Sequence, residues 1–225
     1  MQEYIKQSKD FFNDAHHGMS ITNHSEHNHH SDYWNILLAD PKNNPEKWKN
    51  KNALDFGCGC GRNILNLIKL CEWKNVDGCD ICLRNAEFSK KYVTDNKKSN
   101  ANTTTWENDG VSINSMDGYL PNKKYDFIMS TIVFEHIAPY SVRRSILESI
   151  YENLEIGGLF SLSLSNLTSG VDYYNEKFLF PGNTKINNHA AIEKDFDDIG
   201  YKNINIITGD TFQNRDWSYI TGSKL

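Results

Sequence analysis

No stretch of this chain is long and apolar enough to cross a bilayer, which takes about 20 consecutive apolar residues. Its first residues, MQEYIKQSKDFF, lack the charged-then-apolar layout of an export signal. An excess of positive charge is missing too: 24 Lys and Arg stand against 29 Asp and Glu, for a net charge of -5. Binding along a phosphate backbone calls for a basic surface, so no nucleic-acid partner is expected. Cysteines are few and odd in number, five in all, at positions 58, 60, 71, 79 and 82. With no export signal they read as reduced thiols in a cytoplasmic protein. Cys79 and Cys82 form a C-x-x-C pair, but the simpler reading is of small residues packed around a loop, and no metal is expected. Mean hydropathy is low at -0.63. Part of that comes from 27 asparagines, and 11 Phe, 11 Tyr and 5 Trp are enough for a core.

At 225 residues the chain suits one large domain with an N-terminal extension. Residues 1–50 read as a helical, His-rich cap segment and 51–225 as the main domain. Six of the eight histidines (His16, His17, His24, His27, His29 and His30) fall in the cap. Interspersed with Asn and Ser, they define no ligand geometry, so a polar cap is expected there and not a metal site.

After residue 50, apolar runs of strand length alternate with helical patterns. Ala53–Phe56 reads as a strand, and Ile64, Leu65, Leu67, Ile68 and Cys71 as one helical face. Val76–Asp80 is a second strand, Leu83–Val93 a second helix, Thr103–Glu107 a third strand and Tyr125–Thr131 a fourth. Pro139 opens a helix that places Val142, Ile146, Ile150 and Leu154 on one face and stops at Gly157-Gly158. Leu159–Leu164 alternates as a strand does. Ile192, Phe196 and Ile199 mark a helix ending at Gly200. Two strands in succession, Tyr201–Ile207 and Trp217–Thr221, then suggest an antiparallel edge. This order predicts a doubly wound α/β sheet.

The segment ALDFGCGCGRN, residues 53–63, carries the functional signal. It sets Asp55 at a strand end, then Gly57, Gly59 and Gly61 at alternate positions, then a helix. Glycines there let the chain turn sharply and let a ligand lie against the main chain. The dinucleotide fingerprint would need a glycine at 62, where Arg62 stands. Asp55 would repel a pyrophosphate but suits a ligand bearing ammonium and sulfonium charges. Asp80 ends the second strand, where a carboxylate can accept both hydroxyls of a ribose. Asp109 follows the third strand, where a carboxylate suits an adenine amino group. Each acid alone reads equally well as a solvated strand-end residue. Three in succession point to a site.

On these residues the chain resembles class I S-adenosylmethionine-dependent methyltransferases, of the small-molecule type similar to quinone-biosynthesis enzymes. The likeness runs from about Ala53 to Gly158. Residues 53–63 match the family's first motif, Asp80 its ribose-binding acid and Asp109-Gly110 its adenine-proximal motif. KYDFIMSTIVFEHI (124–137) is similar to the fourth-strand motif, and LEIGGLFSLSLSN (154–166) to the turn into strand five. The resemblance implies a Rossmann-like seven-stranded sheet ordered 3-2-1-4-5-7-6 with an antiparallel last strand. S-adenosylmethionine is the implied cofactor and S-adenosylhomocysteine the product. Asp55, Gly57, Cys58, Gly59 and Gly61 are then expected at the methionine part and Asp80 with Ile81 at the ribose. Asp109, Gly110 and Val111 are expected at the adenine, and Ser130, Thr131 and Ile132 beside the sulfonium. Asn63 reads as a helix cap.

Methyl transfer from a sulfonium is an in-line displacement on an activated donor, so positioning the acceptor is the main task. Where the acceptor loses a proton, His136 is the first candidate base and Glu135 the second. The competing reading is that this pair braces the loop. Beyond strand four there is neither the Pro-Pro-aromatic motif of amino-methylating enzymes acting on nucleobases nor the Pro-Cys of cytosine-carbon enzymes. That leaves a small molecule or a peptide group, with oxygen or nitrogen as the expected acceptor atom. Tyr33, Trp34, Tyr173, Tyr174 and Phe178 are the candidate walls, though each alone reads somewhat better as an ordinary packing residue. Two alternatives stand beside this reading. One is a non-catalytic module that only binds S-adenosylmethionine or S-adenosylhomocysteine; the other is a nucleotide-dependent oxidoreductase, against which Asp55 and Arg62 argue. Nothing in the sequence sets an oligomeric state.

Overall fold

The computed structural model describes residues 2–13, 31–117, 123–166, 172–177, 188–209 and 216–225. Seven strands form one sheet: β1 (Asn52–Phe56), β2 (Asn75–Asp80), β3 (Thr105–Glu107), β4 (Tyr125–Thr131), β5 (Leu154–Asn166), β6 (Lys202–Thr208) and β7 (Asp216–Ser223). Their order is β3-β2-β1-β4-β5-β7-β6, as expected from the sequence. β1 to β5 pair in parallel, and β7 runs antiparallel to both β5 and β6. The helices are α1 (Gln2–Asn13), a short α2 (Ala39–Asn43), α3 (Arg62–Leu70), α4 (Leu83–Asn96), α5 (Tyr140–Asn153) and α6 (His189–Ile199). Among the described residues no helix is long and apolar enough to cross a membrane. The six cap histidines and Phe178 lie outside the described residues.

Alternate residues of a strand point to opposite faces, and here both faces are apolar. Leu54 and Ile128 pack in one core with Ile146 and Ile150 of α5 and Phe196 of α6. Ala53, Phe127 and Met129 pack in the other with Ile64 and Leu67 of α3 and with Leu37 and Trp48. Continuous runs such as Phe127–Met129, fully buried, are the signature of a sheet covered on both sides.

The end of α5 differs from the sequence reading. α5 stops at Asn153, and Leu154, expected on its apolar face, begins β5 opposite Tyr125. The glycine pair is therefore not a helix stop. Gly157, at a φ of +80°, sits in an irregularity after which the pairing resumes at Phe127 with Leu159. Leu159–Leu164 is part of β5, as its alternation suggested, and its Ser161 and Ser163 are buried. The residues before β1 cover their face: Ser161 Oγ donates to the Leu37 carbonyl at 2.7 Å, and Ser163 shares a 2.6 Å hydrogen bond with Thr131.

Candidate active site

The strand order reverses at β1: the chain runs outward through β2 and β3 on one side of it and then returns to β4 on the other. At such a switch point the carboxyl ends of the strands open a crevice. A cavity of about 440 Å³ lies there. Gly57 to Cys60 form its floor, and Asp80, Ile81, Asn85, Asn108 and Gly110 one wall. Thr131, Ile132, Val133, His136 and Ile137 form the opposite wall, with Tyr4, Ser8, Phe11 and Phe12 of α1 as the roof.

The three loop glycines answer three different constraints. A Cβ on Gly57 would collide with the Val133 side chain, so this glycine lets the β4–α5 loop close on the glycine loop. A Cβ on Gly61 would come within 2.5 Å of Ser89 Oγ and 2.8 Å of Val93 Cγ2, so this glycine lets α4 pack. A Cβ on Gly59 would meet no protein atom within 4 Å. Gly59 alone of the three keeps space open for a ligand.

The acids divide similarly. Asp80 faces the cavity with its carboxylate already oriented. Oδ2 accepts from the Gly59 N–H at 2.9 Å, and Oδ1 accepts from the Cys82 N–H at 2.9 Å and from Asn85 Nδ2 at 3.3 Å. Burial raises its pKa, and these donors oppose the rise. Asp55 lies fully buried beneath the loop, and neither carboxylate oxygen completes a hydrogen bond. Burial pushes its pKa up to about 8 against the pull of Arg62 and the Asn63 side chain. Asn63 is held from behind, its Oδ1 accepting from the Tyr33 hydroxyl at 2.8 Å. Asp109 is outside the lining. Its Oδ1 accepts from the N–H groups of Val111 (2.9 Å) and Ser112 (2.7 Å) and its Oδ2 from the Ser112 hydroxyl, which fixes the turn after β3. The residue before it, Asn108, faces the cavity.

Beyond β4 the chain makes a sharp exit. Ile132 has a φ of +59°, a left-handed conformation that a β-branched residue rarely adopts. A short 3₁₀ turn, Phe134–His136, follows. The His136 ring lines the cavity and packs edge-on against Phe12 of the roof, centroids 5.7 Å apart. Glu135 points away from the cavity lining and is fully buried. Arg143 of α5 holds the loop: Nη1 donates to the carbonyls of Ile137 (2.6 Å) and Ala138 (2.7 Å), and Nη2 donates to that of Tyr173.

Of the expected site residues, the cavity lining therefore brings together Gly57, Cys58, Gly59, Asp80, Ile81, Gly110, Thr131, Ile132 and His136. Asp55, Gly61, Asp109, Val111, Ser130 and Glu135 lie outside it, packed behind or beside those that line it. Tyr33 stands behind Asn63, and Tyr173 and Tyr174 pack on Tyr140 away from the cavity. Sequence reasoning missed the roof from α1, although Tyr4, Ser8, Phe11 and Phe12 recur at helical spacing. It also missed Asn85 and Asn108, polar residues next to recognised acids, and it took Arg62 only as a missing glycine.

A family described as a methyltransferase domain matches residues 35–212. No curated protein sequence matches the chain. Among solved structures, phosphoethanolamine N-methyltransferase 2 of Haemonchus contortus, in complex with S-adenosyl-L-methionine, superposes with a TM-score of 0.65 at 15% identity. That likeness covers 96% of this chain, which spans 59% of the nematode protein. Magnesium protoporphyrin IX methyltransferase of Synechocystis PCC 6803 with bound S-adenosylmethionine gives a TM-score of 0.64 at 14% identity, covering 99% of this chain and 97% of that one. A putative S-adenosylmethionine-dependent methyltransferase of Listeria monocytogenes gives 0.55 at 18% identity, covering 84% and 99%. At such identities the likeness is one of fold.

Proposed function

The chain belongs to the methyltransferase-domain family, and from that premise we propose that it moves a methyl group from S-adenosylmethionine to an oxygen or nitrogen of a small molecule. The observation that carries the reading is the pairing of Asp80 with Gly59: a cavity-facing carboxylate locked to the one loop glycine that has open space above it. The residues present fit the cofactor. Among the described residues one acid, Asp80, one cation, Arg62, and otherwise uncharged side chains and backbone line the cavity, and behind the lining Asp55 is a buried acid whose oxygens complete no hydrogen bond, suited to a cation. The bound cofactor supplies an already activated methyl group on its sulfonium.

The chain's own residues do the rest. Asp80 retains acceptor capacity for a ribose hydroxyl, since a carboxylate offers about four lone-pair positions and three donors occupy it here. Ile81 and Gly110 frame the base, and the turn fixed by Asp109 sets where Gly110 lies. Thr131 to Val133 border the reacting centre. His136 accepts the acceptor's proton where one is lost, held at its place by Phe12 and by the loop that Arg143 anchors. Phe11 and Phe12 exclude water from above. A cavity of about 440 Å³ is within the usual small-ligand range of about 300–1,000 Å³, in keeping with a small acceptor.

Calorimetric titration with S-adenosylhomocysteine and with NAD tests the reading, followed by transfer of labelled methyl to a panel of small hydroxyl and amino compounds. S-adenosylhomocysteine binds and NAD does not. Asp80→Ala weakens that binding by about 2–4 kcal/mol, roughly 30- to 1000-fold, with the fold intact. Binding of NAD alone, or unchanged affinity in a folded Asp80→Ala protein, would overturn it. Cofactor binding without transfer to any compound would leave a binding module.

A further inference from the structure

One side of α1 lies on the strand ends. A Cβ on Gly110 would come within 3.2 Å of Ile5, and Lys9, one turn on, pairs with Glu107 at 2.7 Å. The adjoining side, Tyr4, Ser8, Phe11 and Phe12, faces the cavity. Its two ends reach the wall beyond β4: Tyr4 feels the charge of Arg143 in α5, and the Phe12 ring rests on His136. Ser8 stands between them, toward the side of the cavity where an acceptor meets His136.

A serine is out of place in this aromatic stripe. Ser8 is almost wholly buried, and its Oγ, next to the Tyr4 phenol, completes no hydrogen bond. Burying a hydroxyl without a partner is unfavourable, so a serine in such a place calls for a ligand group that supplies one. The side chains around it, Phe11 and Phe12 of the roof with Ile137 and Ile146 of the wall, are apolar. Among the described residues the charged side chains of the lining, Arg62 and Asp80, stand at the glycine loop and at the end of β2. A charged group brought in under α1 would lose water without meeting an opposite charge.

Resting on the reading that the cavity holds S-adenosylmethionine and a small acceptor, we propose that Ser8 selects the acceptor. That acceptor is an uncharged aromatic molecule with two polar groups, the reacting one beside His136 and a second that hydrogen-bonds to Ser8. Phe11, Phe12 and the His136 ring favour a flat molecule, since ring faces and edges pair. Ser8 is one helical turn, about 6 Å, from Phe12, which suits polar groups set across a ring and not on neighbouring atoms.

Three phenols test this by titration into the protein saturated with S-adenosylhomocysteine. They are 4-(hydroxymethyl)phenol, 4-ethylphenol, which keeps the shape without the second hydroxyl, and 4-hydroxybenzoate, which is charged there. Wild type binds the first about 10-fold more tightly than either of the others. Ser8→Ala removes the preference over 4-ethylphenol and holds S-adenosylhomocysteine within about two-fold of wild type, while Ser8→Thr, which keeps the hydroxyl, retains the preference. No preference in wild type, or the same preference in folded Ser8→Ala, overturns the assignment to Ser8. So does a loss of S-adenosylhomocysteine affinity in Ser8→Ala, which would place the serine at the cofactor. Equal or tighter binding of 4-hydroxybenzoate, or binding of none of the three phenols, overturns the acceptor class. Wild type that does not bind S-adenosylhomocysteine ends the cofactor reading itself, a result separate from all of these.

Discussion

Burial without completed hydrogen bonds makes Asp55 a source of pH dependence. Its ordinary carboxylate pKa of 3.8 is pushed up to about 8 in the folded chain. A raised acid pKa means that the native state holds the proton while the unfolded chain has released it. Stability from this group is therefore full below about pH 4 and falls as pH rises to about 8. Asp80 shifts in the same direction. Thermal unfolding at pH 5 and at pH 8 checks this: Asp55→Asn should lose less stability between the two than wild type does. An equal drop in both proteins would remove Asp55 as the cause. The glycines offer a second residue-scale test. Gly57→Ala should cost about 1–3 kcal/mol through the Val133 collision, and Val133→Ala added to it should recover much of that. Gly59→Ala meets no protein atom, so it should cost only the strain of an alanine at a φ of +49°, about 1 kcal/mol and less than Gly57→Ala, and lose affinity for S-adenosylhomocysteine. Thermal unfolding and titration of the three variants decide, and equal destabilisation by the two alanines would refute the division. The sequence displayed these glycines as one motif. That they serve separate ends became visible only from what surrounds each.

Elements were legible where their partner is the sheet. β1, β2, β4, α3 and α6 follow from apolar period, and Gly200, at a φ of +115°, ends α6 where expected. They were less legible where the partner is something else. Gly157 and Gly158 looked like a helix stop because a strand irregularity and a helix end both use glycine. The burial of the β5 serines was not legible because the covering residues, Leu37 among them, come from far along the chain. α1 was hardest, since its face turns to a cavity and not to a core. Ser8 interrupts the apolar stripe, and Lys9 and Asp10 add charge. Its anchors are also long-range: Lys9 pairs with Glu107 at 2.7 Å, and the Cys82 thiol donates to the Phe12 carbonyl at 3.2 Å. No local pattern announces contacts of that kind.

For the molecule as a whole, the two cores and the roof have separable roles. Of the buried residues in the two cores, α1 contributes Tyr4 alone, with Ile5 packed beside it. The sheet, α3 to α6 and the residues before β1 supply most of the remainder, which is why the fold was readable without α1. The cavity depends on it more heavily: Tyr4, Ser8, Phe11 and Phe12 close one side, and Phe12 is the ring against which His136 rests. Removing residues 1–13 should therefore leave a cooperatively unfolding domain while opening the crevice to water. A ligand that binds only the native state stabilises it in proportion to its affinity, so the loss is readable as a smaller ligand-induced rise in Tm. The comparison is Tm with and without saturating S-adenosylhomocysteine, for the full chain and for the chain beginning at residue 14. The truncated chain should keep a single sharp transition and show a much reduced ligand-induced shift. An undiminished shift would mean that α1 merely covers an already complete site, and loss of the transition itself would mean that α1 belongs to the core.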